Sequence, residues 1–184
     1  MQRHGRRRKE EERSQPTTKL TAEQIRERTF QRAVKLLAAK PRSIAELRER
    51  LFKGRSSTSA AVEAVISRLR EYGYLDDERF AFGYASLKVQ QRPVGRQRLK
   101  RDLTLKKVEG AIADEALDSV FAETSEEELI DRAIEKRTRI RGRPSNRTEA
   151  KRLFDYLLRQ GFAFELVAEK VRAAIEAGAD DESI

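Results

Sequence analysis

Lysine and arginine supply most of the chemistry in this chain. Between Lys88 and Val108 stand eight basic residues and one acid, Asp102. Arg92-Pro93-Val94-Gly95 reads as a bend. Arg96, Arg98, Lys100 and Arg101 follow it on one helical run that closes on Lys106 and Lys107. Arg96 and Lys100 are one turn apart and form a basic ridge, while Leu99 and Leu103 take the buried stripe. A second concentration, Lys136, Arg137, Arg139, Arg141, Arg143 and Arg147, spans a helix end and the loop through Gly142-Arg143-Pro144. A guanidinium offers a fork of donors that matches phosphate or carboxylate. The chemistry is therefore anion recognition. Aromatic residues do not interleave with these clusters, so contact with a polyanion backbone is expected rather than base stacking.

Little else is available for catalysis. The only histidine is His4, and there is no cysteine. Ser–His and Cys–His nucleophile systems lack a base, and metal sites built on His and Cys are excluded. No Gly-x-x-x-x-Gly-Lys-Ser/Thr loop is present to cradle a phosphate. Asp76-Asp77-Glu78 and Glu126-Glu127-Glu128 are carboxylate runs at helix starts, where successive side chains diverge and complement the positive end of the helix dipole. A chain without catalytic residues, cofactor or metal is expected not to be an enzyme.

Composition agrees with a binding role. The formal charge is +9 over 184 residues, and 39% of the residues are charged. Such a balance favours nucleic acid, acidic membrane surfaces or an acidic protein. The charge is also sorted, since the nine acids from Glu109 to Asp131 have no base among them. No apolar run approaches a membrane span, and no apolar core follows the basic amino terminus. A cytoplasmic location is expected.

The elements that hold these residues are helices. Apolar positions recur at three and four, and no alternating strand pattern occurs. Thr21 with Gln24, Ser43 with Glu46, Ser125 with Glu128 and Asn146 with Glu149 are capping boxes, and Asp76 is a further N-cap. Gly54, Gly73 and Gly161 stand where helices should stop with positive φ. The pattern predicts helices over about 22–39, 43–53, 58–72, 76–91, 94–106, 109–121, 125–140, 146–160 and 163–177. Expected core positions include Phe80, Tyr84 and Leu87 in the fourth helix and Ile175 in the ninth. Tyr72, Tyr74, Phe80, Phe82 and Tyr84 are expected to pack where the first two units join, and Phe154, Phe162 and Phe164 in the third.

The Leu pairs Leu47/Leu51, Leu99/Leu103 and Leu153/Leu157 recur 52 and 54 residues apart. Such a period marks one helical unit written three times. The fold class is all-α: three tandem three-helix repeats at 21–75, 76–123 and 124–178, between a disordered basic tail at 1–20 and an acidic tail at 179–184. With 38% apolar residues, several small cores that lean on one another are expected rather than one large core.

Gly73-Tyr74-Leu75-Asp76-Asp77-Glu78-Arg79-Phe80-Ala81 resembles the RecX family, regulators of the RecA recombinase. The likeness continues at Arg92-Pro93-Val94-Gly95 with Leu99 and Asp102-Leu103. It returns at Ala150-Lys151-Arg152-Leu153 and at Leu157-Leu158-Arg159-Gln160-Gly161-Phe162, so it spans most of the chain. One departure stands at Lys106-Lys107-Val108, where the family commonly turns on a Gly. The resemblance implies an elongated, curved, monomeric array bound in the groove of a RecA filament on single-stranded DNA, inhibiting strand exchange, ATP hydrolysis and coprotease function. The expected contacts are Arg92, Arg96, Arg98, Lys100, Arg101, Lys106 and Lys107, then Arg137, Arg139, Arg141, Arg143 and Arg147. The alternative is a module of helix-turn-helix type that binds nucleic acid directly.

Overall fold

A computed structural model describes residues 20–54 and 57–181, with side chains through residue 175. The basic arm expected at the amino terminus and the last three residues lie outside this range. The described residues form nine helices: α1 Ala22–Ala39, α2 Ile44–Phe52, α3 Ser59–Glu71, α4 Asp77–Gln91, α5 Arg96–Leu105, α6 Gly110–Glu123, α7 Glu126–Arg141, α8 Arg147–Gln160 and α9 Phe164–Asp181. They pack in threes. α1, α2 and α3 touch one another, α6 rests on α4 and α5, and α9 rests on α7 and α8. Gly178 does not stop α9, which continues to Asp181. No helix among the described residues is long and apolar enough to cross a membrane.

Local chemistry sets most helix starts. Thr21 and Gln24 complete a reciprocal capping box. Ser43, Thr58, Asp76 and Asn146 each accept a hydrogen bond from the backbone N–H three residues on. Ser125 makes no such bond. The box expected there is absent; instead the adjacent Glu126 carboxylate accepts from the Arg96 N–H at 3.0 Å.

Helix ends follow one geometry at three places. Beyond α3 the Gly73 N–H donates to Arg70 and the Tyr74 N–H to Leu69, and Gly73 has φ +68°. Beyond α8 the Gly161 and Phe162 N–H groups donate to Leu158 and Leu157, and Gly161 has φ +90°. Beyond α5 the same pair of bonds runs from Lys107 to Thr104 and from Val108 to Leu103. Lys107 takes φ +60° to make them. The sequence departure is thus absorbed as left-handed strain, of order 1–2 kcal/mol for a residue with a Cβ, while the turn itself is kept. Gly54, by contrast, does not adopt positive φ; Gly142, at the end of α7, does.

Two cores form rather than three. Leu47, Leu51, Val62, Val65, Ile66, Leu69 and Leu75 fill the first group. The second and third groups share one continuous core that runs from Ala81 to Val171 through Leu99, Leu103, Leu117, Leu129, Ile130, Leu153, Leu157 and Phe162. α4 differs from its expected packing. It buries the small stripe Ala81, Ala85 and Val89, and leaves Leu87 51% exposed. Small residues let α4 lie close to α6, whose facing stripe includes Ala113 and Ala116. Ile175 is also exposed.

The three Leu-pair helices meet end to end. At one junction the Gly95 and Gln97 N–H groups, at the start of α5, donate to Gln160 and Gly161 carbonyls at the end of α8, both at 3.0 Å. A Cβ on Gly95 would sit 2.4 Å from Gly161 backbone, and one on Gly161 would sit 2.3 Å from the Arg98 nitrogen. Both glycines are needed because backbone meets backbone there. At the other junction Ser43, the fully buried N-cap of α2, donates its hydroxyl to the Lys106 carbonyl at the end of α5. In each case carbonyls at one helix end meet N–H groups or an N-cap at the next, which satisfies terminal groups and aligns the dipoles head to tail.

Candidate partner interface

The basic ridge on α5 is largely engaged within the molecule. Arg96 reaches Asp118 at 2.6 Å, and Lys100 reaches Asp114 at 2.7 Å, so the acidic face of α6 is met by the helix before it. Arg98 donates to Gln160 at 2.9 Å and ties α5 to α8. Lys107 pairs with Glu49 of α2 at 2.7 Å and, ahead of Lys53, holds that carboxyl below its ordinary range. Lys106 lies over the Phe80 and Tyr84 rings, 5.8 and 4.8 Å from their centroids. Exposed pairs of this kind contribute about 0–1 kcal/mol, so a polyanion can exchange with them at small cost. Arg92, half-buried at the end of α4, and Arg101, exposed on α5, have no carboxylate within ion-pair distance among the described residues.

The second cluster encloses space. A cavity of about 410 Å³ opens where α7 ends and α8 begins. Arg137, Arg141, Arg143 and Arg152 line it, with Glu149 as the one acid. That acid is already committed. It accepts from the Ser145 N–H and hydroxyl at 2.9 and 3.0 Å, and the backbone bond is the main reason its carboxyl is held below its ordinary range. Gly142, with φ +80°, lets α7 end in a turn that puts Arg143 beside Arg141, and buried Pro144 closes the turn. Arg137 also stands 4.9 Å from the centre of the Tyr156 ring. Arg139 turns away to Glu135, and exposed Arg147 opens α8 without lining the cavity.

The structure therefore brings together Arg137, Arg141 and Arg143 and adds Arg152. The helical period of α8 could have shown Arg152, because Glu149 and Arg152 are three apart on one face. The aromatic residues near the first joint also differ from expectation. Tyr72 and Tyr74 are 60% and 72% exposed rather than packed between units. In the third group Phe162 is buried, and Phe164 meets Phe154 edge-on at 5.4 Å while staying largely exposed.

No group of three or more His, Cys, Asp or Glu residues able to hold a metal occurs among the described residues. Serial three-helix units, joined end to end and carrying an arginine-lined cavity, define an all-α helical repeat protein. A model of the second three-helix domain of RecX matches residues 76–117. A regulatory protein RecX from Streptomyces coelicolor is 32% identical over 148 residues, covering 80% of this chain and 78% of that one. One from Treponema pallidum is 39% identical over 104 residues, covering 56% of this chain and 63% of that one. The crystal structure of RecX from Lactobacillus salivarius superposes with a TM-score of 0.71 at 18% identity, covering 83% of this chain and 97% of that one. The chain belongs to the RecX family of regulatory proteins.

Proposed function

We propose that this chain is an inhibitor of the RecA recombinase. It lies as a monomer in the groove of RecA filaments on single-stranded DNA, and so modulates recombination, DNA repair and the SOS response in the cytoplasm. The reading rests on the family, whose members are named regulatory proteins. The observation that carries it is the cavity at the α7–α8 turn, where four arginines face one carboxylate that is already hydrogen-bonded. Arg92 and Arg101 extend the cationic surface onto the second group. Arg96, Arg98, Lys100, Lys106 and Lys107 act first as braces and secondarily as contacts.

The test measures ATP hydrolysis by RecA filaments on single-stranded DNA as the protein is added. Inhibition that weakens when Arg141 and Arg152 are reversed to Glu supports the proposal. Unchanged hydrolysis and no filament binding at physiological salt would sink it. Equal binding to naked and RecA-coated DNA, with a steep salt slope, would instead favour direct nucleic-acid binding.

A further inference from the structure

A second cavity lies apart from the arginine-lined one, where the end of α1 meets α4, and Lys106 at the end of the α5 basic run forms part of its wall. It measures about 690 Å³, and its lining is predominantly apolar. That size is in the ordinary range for a small-molecule site. Its walls combine two kinds of group. Tyr74, Phe80, Tyr84, Leu37 and Leu87 give flat and aliphatic surface, and Lys40, Arg42, Arg79 and Lys106 give positive charge. Asp76 is the one carboxylate, and it is held as the N-cap of α4 by the Arg79 N–H at 3.0 Å.

Arg42 is the unusual member. It is only 7% exposed, and its Nε donates to the Leu36 carbonyl at 3.2 Å. Its Nη1 is buried and has no hydrogen-bond partner. A buried cationic donor without a partner is costly, and because this nitrogen is out of reach of solvent, an anion in the cleft would relieve it only once the guanidinium turns toward the opening. The far wall is fixed. Tyr84 donates its hydroxyl to Asp102 at 3.2 Å, and Lys88 and Lys106 flank its ring. Tyr74 is 72% exposed and Leu87 51% exposed.

We propose that this cleft binds a nucleotide unit, with the base against Tyr74 and Leu87 and the phosphate on Arg42 and Lys40. A guanidinium matches phosphate geometry, and an exposed ring stacks on any base. An acidic peptide would satisfy Arg42 but brings no planar group for Tyr74. The proposal is independent of filament inhibition and can fail while that reading holds.

The test is an NMR titration of the full chain with adenosine monophosphate, with a five-residue oligothymidylate and with hexaglutamate, following the Arg42 Nε–H and the Tyr74 ring. Shifts with either nucleotide probe are expected, and which one binds tighter assigns the source as free nucleotide or single strand. Arg42→Gln should weaken binding about tenfold, as loss of a charged hydrogen bond does. Tyr74→Ala should weaken it by a similar factor. Arg42 is buried, so its variant can be lost to misfolding. Tyr74 is a surface side chain, and unchanged affinity in Tyr74→Ala would then overturn the proposal by itself. So would unmoved Arg42 and Tyr74 resonances with both nucleotide probes, or equal shifts with hexaglutamate, which would assign the cleft to an acidic protein segment.

Discussion

The two joints of this molecule are built from different materials. Between the second and third groups, backbone donates to backbone across Gly95 and Gly161, and one apolar core runs through both groups. Between the first and second groups, the cores are separate and side chains make the link: Ser43 to Lys106, Asp77 to Ile44 and Lys107 to Glu49. A backbone joint in a shared core cannot be altered without moving helices. A side-chain joint can open locally. The first group is therefore expected to open before the rest, with the second and third unfolding together.

The largest test strikes the stiff joint. Gly161→Ala must bear both a positive φ and a Cβ 2.3 Å from the Arg98 nitrogen, so a loss of about 3–5 kcal/mol is expected in urea unfolding. A loss below about 1 kcal/mol would mean that the joint yields, and the contrast would disappear.

Next comes the softer joint. Asp77→Ala leaves the Ile44 N–H, bonded at 2.8 Å in the native protein, without its acceptor and should cost about 1–3 kcal/mol. Hydrogen exchange should show the loss confined to α1–α3, while α4–α9 keep their protection. Uniform loss across all nine helices would mean that the molecule unfolds as one unit.

The same joint should respond to acid. Burial raises the Asp77 carboxyl above its ordinary value, against the pull of the Ile44 hydrogen bond. The folded state therefore binds this proton more tightly than the unfolded state does. The contribution is fully present below the unfolded value and is lost as pH rises through the folded one. Protection of the first group should rise as pH falls through the range just above the ordinary Asp value. Asp77→Asn should remove that component, and an unaltered profile would assign it elsewhere.

The smallest effect concerns Lys107. Replacing it with Gly relieves the left-handed strain but removes the exposed pair with Glu49, so a net gain of about 0.5 kcal/mol is expected in thermal unfolding. A loss would show that the Glu49 pair holds the joint more strongly than its exposure suggests.

What the sequence revealed divides along the same line between local and distant effects. Helix spans, the Thr21 box and the Asp76 and Asn146 caps were legible because a cap depends on residues three apart. The Ser125 box did not form, and the bond made next to it, from the Arg96 N–H to Glu126, joins residues thirty apart that no local pattern could pair. The α5 ridge was read in the correct helical phase, yet sequence order could not show that Asp114 and Asp118 lie opposite it. On α4, apolar size pointed to Phe80, Tyr84 and Leu87; Phe80 and Tyr84 do pack partly buried against the core, but Leu87 is exposed, and close approach gives the fully buried stripe to Ala81, Ala85 and Val89. The Arg137, Arg141 and Arg143 cluster was visible, but its fourth wall needed the turn at Gly142 to bring α8 alongside.

The end-to-end middle helices give the molecule a direction. Each runs from N- to C-terminus toward the first group, so their order α8, α5, α2 opposes the order of the chain. One extremity of the row finishes in the carbonyl end of α2 and the other in the Asn146-capped start of α8. No twofold axis relates them. Laid along a track that itself has a head and a tail, the molecule has two distinguishable orientations, which place the arginine cavity at opposite ends.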